Sequence, residues 1–286
     1  MERTIGLRIY QGAVAFITGA ASGIGRALAE QLARRGSEVV LADLQNALAE
    51  EVAEQIRSAG GKATTAKLDV TDFSAVQKAI QETFVRTGRI DYLFNNAGIA
   101  VIGAIERYSI DDWNHILDVN LRGVINGVNA VYPLMKKQRF GHIVNTASLA
   151  GMIPIPGQAA YVTTKHAVFG LSTSLRVEAA FFGIRVSVLC PGFVLTPILR
   201  GGKFGKLYID VSLEKIEQIV VKYQPMQPDV FARKALDAVA KNRTIIVEPR
   251  ILRWVWRFNR LFPEYGIELA KFYLEKDMKE IGILAE

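Results

Sequence analysis

The chain has 286 residues, half of them hydrophobic and 22% charged, with a formal net charge of +7. That balance supplies a sizeable core and excludes global disorder, and no apolar run is long enough for a membrane-spanning helix. Cys190 is the only cysteine, which excludes an intrachain disulfide, and His115, His142 and His166 lack ligand spacing, so no metal site is expected. The first eleven residues are mixed and polar, without an apolar leader, and the chain reads as a soluble, cytoplasmic protein whose positive charge suits an anionic partner.

Val14 to Thr18 is a short continuous apolar run, the pattern of a strand buried on both faces. It leads into Gly19, Gly23 and Gly25, then into a helix over 26–35 that Gly36 ends. Strands are expected at 38–43, 62–68, 90–94, 141–146, 184–189 and 244–247. Helices are expected at 46–59, 72–87, 109–137, 157–182 and 229–241, with Ser109 and Asp112 as a capping signal. Strict alternation with short glycine-containing turns means a parallel sheet covered on both faces. The stretch 197–227 breaks the rhythm with a Gly/Lys-rich run (201–206) and an amphipathic segment carrying Leu213, Ile216, Ile219 and Val220. It reads as a lid over a substrate site or, equally, as a surface excursion.

A strand, a glycine turn and a helix form a phosphate site for a definite reason. Glycines admit the anion close to the backbone, and the free N–H groups of the helix start face it. Here Gly19, Ser22, Gly23, Ile24 and Gly25 follow the first strand directly. Asp43 ends the second strand, 18 residues beyond Gly25, with Leu44 after it. A carboxylate there accepts from adenosine ribose hydroxyls and repels a 2′-phosphate, which favours NAD over NADP.

Ser148, Tyr161 and Lys165 carry the second constellation. On a helix, Tyr161 and Lys165 stand one turn apart on one face. A phenol of ordinary pKa about 10 beside an ammonium is drawn toward the phenolate, and a serine hydroxyl can hold the substrate oxygen. A lone Tyr-x-x-x-Lys pair also occurs on solvated surface helices, so the pair needs its context.

Thr18-Gly19-x-x-x-Gly23-x-Gly25, Asn95-Asn96-Ala97-Gly98, Asn120, Ser148, Tyr161-x-x-x-Lys165 and Pro191-Gly192 occur in that order. With them the chain resembles the classical short-chain dehydrogenase/reductase family over roughly residues 12–196. The resemblance implies an α/β Rossmann-type doubly wound parallel sheet of about seven strands, here over 1–248, inside which the stretch 197–227 read above as a lid or surface excursion would fall. A basic, aromatic helical extension would occupy 249–286. It implies a tetrad: Tyr161 as acid/base, Ser148 positioning the substrate oxygen, Lys165 lowering the tyrosine pKa and binding the nicotinamide ribose, Asn120 holding a linking water. It also implies Asp69 and Val70 at the adenine, Asn96, Ala97 and Gly98 at the middle of the cofactor, and Pro191, Gly192 and Thr196 at the nicotinamide. A homodimer or homotetramer through the two long helices is implied in the same way.

Leu149, Met152, Ile153, Pro154 and Ile155, with Phe193, Val194 and Leu199, would line the substrate pocket, and none is charged. An unpaired buried charge is costly, so the expected partner is a hydrophobic alcohol or ketone. The leading expectation is an NAD-dependent alcohol dehydrogenase. An NAD(P)H-dependent ketone or 3-oxoacyl reductase and a non-catalytic dinucleotide sensor are the alternatives. Residues 250–262 hold Arg250, Arg253, Arg257 and Arg260, no acid, and two of three tryptophans. On a helical wheel Ile251, Leu252, Val255, Phe258 and Phe262 fall opposite the arginines. That fits a helix in an anionic membrane interface and equally one packed on the sheet or a neighbouring subunit. Nucleic acid is not expected, since no recognition motif accompanies the charge.

Overall fold

The computed structural model describes residues 6–208 and 221–280. Its centre is a sheet of β1 (Val14–Thr18), β2 (Glu38–Asp43), β3 (Lys62–Lys67), β4 (Tyr92–Asn95), β6 (Gly141–Thr146), β7 (Ile184–Pro191) and β9 (Ile245–Glu248). The order is β3-β2-β1-β4-β6-β7-β9, and every pairing is parallel. β1 is buried throughout and pairs Ala15 with Val39 on one side and with Tyr92 on the other. The strand order therefore reverses at β1, and a crevice opens at the carboxyl ends of β1 and β4.

Helices cover both faces. On one, Leu28 and Leu32 of α1 (Gly23–Arg34), Val52 and Ile56 of α2 (Asn46–Ser58) and Phe231 and Leu236 of the later helix Pro228–Ala240 share a core with Ile17 and Leu41. On the other, α3 (Phe73–Thr87), α5 (Gly123–Gln138) and α6 (Ala159–Ala180) bury Ile80, Val131 and Val168 against Phe16, Leu93 and Ile143. The residues facing these layers alternate along strands that are apolar on both sides, which is why the strands read as continuous apolar runs.

The helix expected over 109–137 is interrupted. α4 (Ile110–Leu117) starts on the expected capping box, Ser109 Oγ accepting from the Asp112 amide and Asp112 Oδ2 from the Ser109 amide. A π turn over Asp118–Arg122 then precedes α5. The turn aims Asn120 at Ile99, whose N–H donates to Asn120 Oδ1 at 2.8 Å and whose carbonyl accepts from Nδ2 at 2.9 Å. π turns commonly mark such local functional constraints. A second departure is a two-stranded parallel pair, β5 (Ala100–Gly103) with β8 (Gly205–Tyr208). β8 overlaps the end of the Gly/Lys-rich run 201–206, inside the stretch 197–227 read as a lid or a surface excursion, and follows single helical turns at Pro197–Arg200 and Gly202–Phe204. Leu213, Ile216, Ile219 and Val220 lie outside the described residues.

After β9 and the helix Pro228–Ala240 (α7), two helices end the described chain: α8 (Leu252–Leu261) and α9 (Pro263–Glu280). The inward edge of α8 is Leu252 and Trp256, both packed on the β6–β7 side of the core, with Trp256 edge-on to Phe169 at 6.3 Å. This corrects the wheel reading, in which Leu252 shared its side with Ile251, Val255, Phe258 and Phe262. Those four are exposed, Ile251 by 67%. No described helix is long and apolar enough to cross a membrane.

Candidate active site

The glycine turn is held by its neighbours. Thr18 Oγ1 accepts from the amides of Asn96 and Ala97 at 3.0 and 3.1 Å, and Asn96 Nδ2 donates to the carbonyls of Thr18 and Gly19 at 3.3 Å. These bonds bring the ends of β1 and β4 so close that a Cβ on Gly19 would stand 2.7 Å from the Ala97 Cα. Asp43, nearly buried at the end of β2, accepts from the Ala21 amide and the Gln45 amide, each at 2.9 Å. Ser22 precedes α1 without making a side-chain cap bond, so the first amides of that helix keep their donors.

A cavity of about 650 Å³ runs over this turn. It passes from Asp43, Asp69 and Val70 along Gly19, Gly23 and Asn96 to Ser148, Tyr161 and Lys165, and Pro191, Gly192 and Thr196 also line it, Thr196 beside Gly23. Ser148 follows β6 and accepts from the Ala150 amide at 3.1 Å. Tyr161 and Lys165 stand on the first turns of α6, and Lys165 Nζ donates to the Thr146 carbonyl at 3.0 Å. Of the expected cofactor contacts only Gly25 does not line the cavity. It is buried beneath the turn, where a Cβ would meet the Gly19 carbonyl at 2.0 Å, so its missing side chain serves the packing of helix on strand.

The sequence profile described as short chain dehydrogenase matches residues 13–203. The chain is a member of the short-chain dehydrogenase family. As such it is an oxidoreductase of CH–OH and keto groups that uses NAD(P). It is similar to oxidoreductase UcpA of Salmonella typhimurium, 42% identical over 188 residues that cover 65% of this chain and 71% of that protein. It is also similar to the 2,5-dichloro-2,5-cyclohexadiene-1,4-diol dehydrogenase LinX of Sphingobium indicum, 41% identical over 65% of this chain and 75% of that one. The 3-oxoacyl-[acyl-carrier-protein] reductase FabG of Thermotoga maritima is 37% identical over 66% and 76%. Among solved structures, a short-chain dehydrogenase/reductase from Burkholderia phymatum in complex with NAD superposes with a TM-score of 0.81 at 30% identity, covering 91% of this chain and 96% of that one.

In this short-chain dehydrogenase, burial dominates the electrostatics of the tetrad positions. Burial pushes the Tyr161 phenol up to about 12, against a hydrogen bond with Ser148 that lowers it. Burial also pushes the Lys165 ammonium down to about 8. The expected lowering of the phenol by the lysine is thus not met in the chain itself, because Lys165 points to the Thr146 carbonyl and lies 5.4 Å from the centre of the tyrosine ring. Asn120 is fully buried behind the cavity rather than lining it. Its amide hydrogens go to Ile99 and Thr164, which leaves one acceptor lone pair for any linking water.

The substrate end differs in part from expectation. Leu149, Ile155, Phe193 and Val194 line it; Met152 and Ile153 turn into the core on the α6 side, and Pro154 is not at the cavity. The side chain of Leu199 is outside the described set. Ile102, His115, Val119, Gln158, Lys203 and Phe204 were not expected. Two of them are titratable, so the lining is not free of basic groups as the sequence suggested. His115 stands four residues before Val119, and that helical spacing was the one available signal for it. Of the other histidines, His142 is buried beside Ser187 at 2.8 Å and His166 is exposed.

Proposed function

We propose that the chain is an NAD-dependent dehydrogenase interconverting a hydrophobic secondary alcohol and its ketone, with Tyr161 as the proton-transferring group. The carrying observation is that Ser148, Tyr161 and Lys165 share one cavity with the glycine turn. The residues present fit a dinucleotide. Uncapped amides at the start of α1 suit its phosphates, and Asp43 at the cavity floor suits a ribose diol and disfavours a 2′-phosphate. Asp69, Val70, Asn96, Ala97 and Gly98 would hold the adenine side and middle, with Pro191, Gly192 and Thr196 at the nicotinamide. When bound, the nicotinamide supplies hydride chemistry.

Ser148 would hold the substrate oxygen while the Tyr161 hydroxyl exchanges its proton. Lys165, whose own proton is loosened by burial, would steady the charge left on the phenol. Asn120 would fix the π turn behind the lysine and offer its remaining lone pair to a water. Leu149, Ile155, Ile102 and Phe204 offer apolar contact to the substrate body, and the likeness to LinX, which acts on an alicyclic diol, supports an alicyclic or otherwise apolar alcohol. The test is NAD reduction with a panel of secondary alcohols. Apolar alcohols should be favoured by tenfold or more in kcat/KM, on the order of one or two buried methylenes; a clear preference for a small charged hydroxyacid would overturn the proposal.

A second reading, reduction of a 3-oxoacyl substrate, draws on Lys203 at the cavity edge and on the likeness to FabG. It predicts that Lys203→Met weakens only substrates with an anionic tail.

We further propose a homodimer or homotetramer, supported by the exposed Val177 on α6, Phe181 just after it and Ile125 on α5. Peripheral contact of 250–262 with an anionic membrane is supported by the exposed row Ile251, Trp254, Val255 and Phe258 beside Arg250 and Arg257. Sedimentation velocity tests the first. Cosedimentation with phosphatidylserine vesicles, lost in Ile251→Ser/Val255→Ser/Phe258→Ser, tests the second; equal binding by that variant would refute it. The cytoplasm is the compartment that accords with this reading.

A further inference from the structure

The β5–β8 pair and the turn before β8 contribute part of the cavity's lining. Ala100 pairs with Gly205, Val101 with Lys206, Ile102 with Leu207 and Gly103 with Tyr208. Side chains alternate along both strands. On β5, Ala100 and Ile102 face the cavity, while Val101 is buried with Ile116 and Ala160. Immediately before β8, Lys203 and Phe204 also line the cavity. The strands meet closely: a Cβ on Gly205, at φ +128°, would stand 1.7 Å from the Ala100 carbonyl oxygen.

A two-stranded ribbon is marginal without support. Here the support comes from alternate residues of β8, which converge on one carboxylate. Lys206 Nζ lies 2.6 Å from Asp112 Oδ1, and the Tyr208 hydroxyl donates to Asp112 Oδ2 at 2.7 Å. Asp112, on the first turn of α4, is only 3% exposed. A buried carboxylate needs such partners, and removing them leaves an uncompensated charge. The Ser109 amide and hydroxyl complete its shell at 2.9 and 2.8 Å. Together with Lys206 and Tyr208 they hold the carboxyl well below the usual carboxylate range. Arg107 donates to the Tyr208 carbonyl at 3.2 Å, and the Tyr108 ring lies 6.0 Å from the Tyr208 ring.

We propose that Asp112, Lys206 and Tyr208 form a latch that fixes the substrate wall of the cavity. They are positioning residues: by pinning β8 to α4 they set where Ile102, Lys203 and Phe204 stand, and so which substrates fit. The proposal rests on the dehydrogenase reading for its kinetic consequence, not for the latch itself. The dinucleotide end at Gly19, Asp43 and Asp69 is formed by other strands and does not depend on β8.

The variant Lys206→Met/Tyr208→Phe tests this in the full chain, because it leaves Asp112 free to cap α4. Substrate KM should rise about tenfold or more, at least the worth of one charge-assisted hydrogen bond, while KM for NAD stays within about twofold. Amide exchange at 206–208 should quicken about tenfold or more, and at β1 and β4 remain unchanged. Tyr208→Phe alone should give an intermediate value. Unchanged exchange at 206–208 would overturn the latch, whatever the kinetics. Faster exchange with an unchanged substrate KM would overturn its role in substrate positioning. A wild-type chain inactive on every alcohol and ketone would instead defeat the dehydrogenase reading, with the exchange measurement still deciding the latch.

Discussion

The ammonium of Lys165 lies 5.4 Å from the centre of the Tyr161 ring, one turn along α6, yet its hydrogen bond goes to the Thr146 carbonyl at 3.0 Å. Lys165 is buried and Tyr161 half-buried, and burial moves them in opposite senses: the lysine from 10.5 down to about 8, the tyrosine from 10.0 up to about 12. Between pH 8 and 10 the unfolded chain still carries the lysine proton and the folded chain releases it. For this group the unfolding free energy therefore rises with pH in that window. Above pH 10 the tyrosine acts the other way, since the folded chain keeps a proton that the unfolded chain loses. Relative to Lys165→Met, the wild type should gain on the order of 2 kcal/mol of stability from pH 7 to pH 10. Urea denaturation at the two pH values measures it, and parallel curves for the two proteins would contradict it.

Asp43 serves two masters: it holds the Ala21 and Gln45 amides and it faces the cavity. Asp43→Ser with Leu44→Arg removes the charge that disfavours a 2′-phosphate and supplies one that attracts it. On the proposed NAD reading, the ratio of NAD to NADP use should fall by about 10–100-fold, the worth of a charge-assisted hydrogen bond gained or lost. The ratio of kcat/KM for the two cofactors reads it directly, and an unaltered ratio would place the discriminating contact elsewhere.

Two glycines make a matched pair. Gly19→Ala forces a Cβ to 2.7 Å from the Ala97 backbone at φ +64°, and should cost about 1–3 kcal/mol and weaken cofactor binding. Gly170, inside α6, has nothing within 4 Å of its would-be Cβ, so Gly170→Ala should stabilise the chain by about 0.5–1 kcal/mol. Thermal melting of both variants is the measurement. A harmless Gly19→Ala would mean that the turn and the Asn96–Ala97 segment can separate.

The seven-stranded sheet was legible because parallel strands buried on both faces, such as Val14–Thr18, leave continuous apolar runs between glycine turns. Ser148, Tyr161 and Lys165 stood out in the sequence through their residue types, spacing and order, and the structure brings the three to one cavity. β5 and β8 were not. Each has four residues, and their pairing joins segments a hundred residues apart, which no local pattern records. The π turn at Asp118–Arg122 was hidden because a shift of one hydrogen-bond register leaves helical periodicity nearly intact. For α8, amphipathicity showed that one side must differ from the other. Which side faces inward was decided by the fit of Leu252 and Trp256 against Gly192 and Phe169.

The role of Tyr161 is tested most directly by comparing turnover and cofactor binding in Tyr161→Phe, which keeps the ring and removes only the hydroxyl. Turnover should fall by about 10²–10⁴-fold or more while NAD affinity, measured by fluorescence titration, stays within a few-fold of wild type. Turnover near the wild-type rate in that variant, with NAD still bound, would contradict the account.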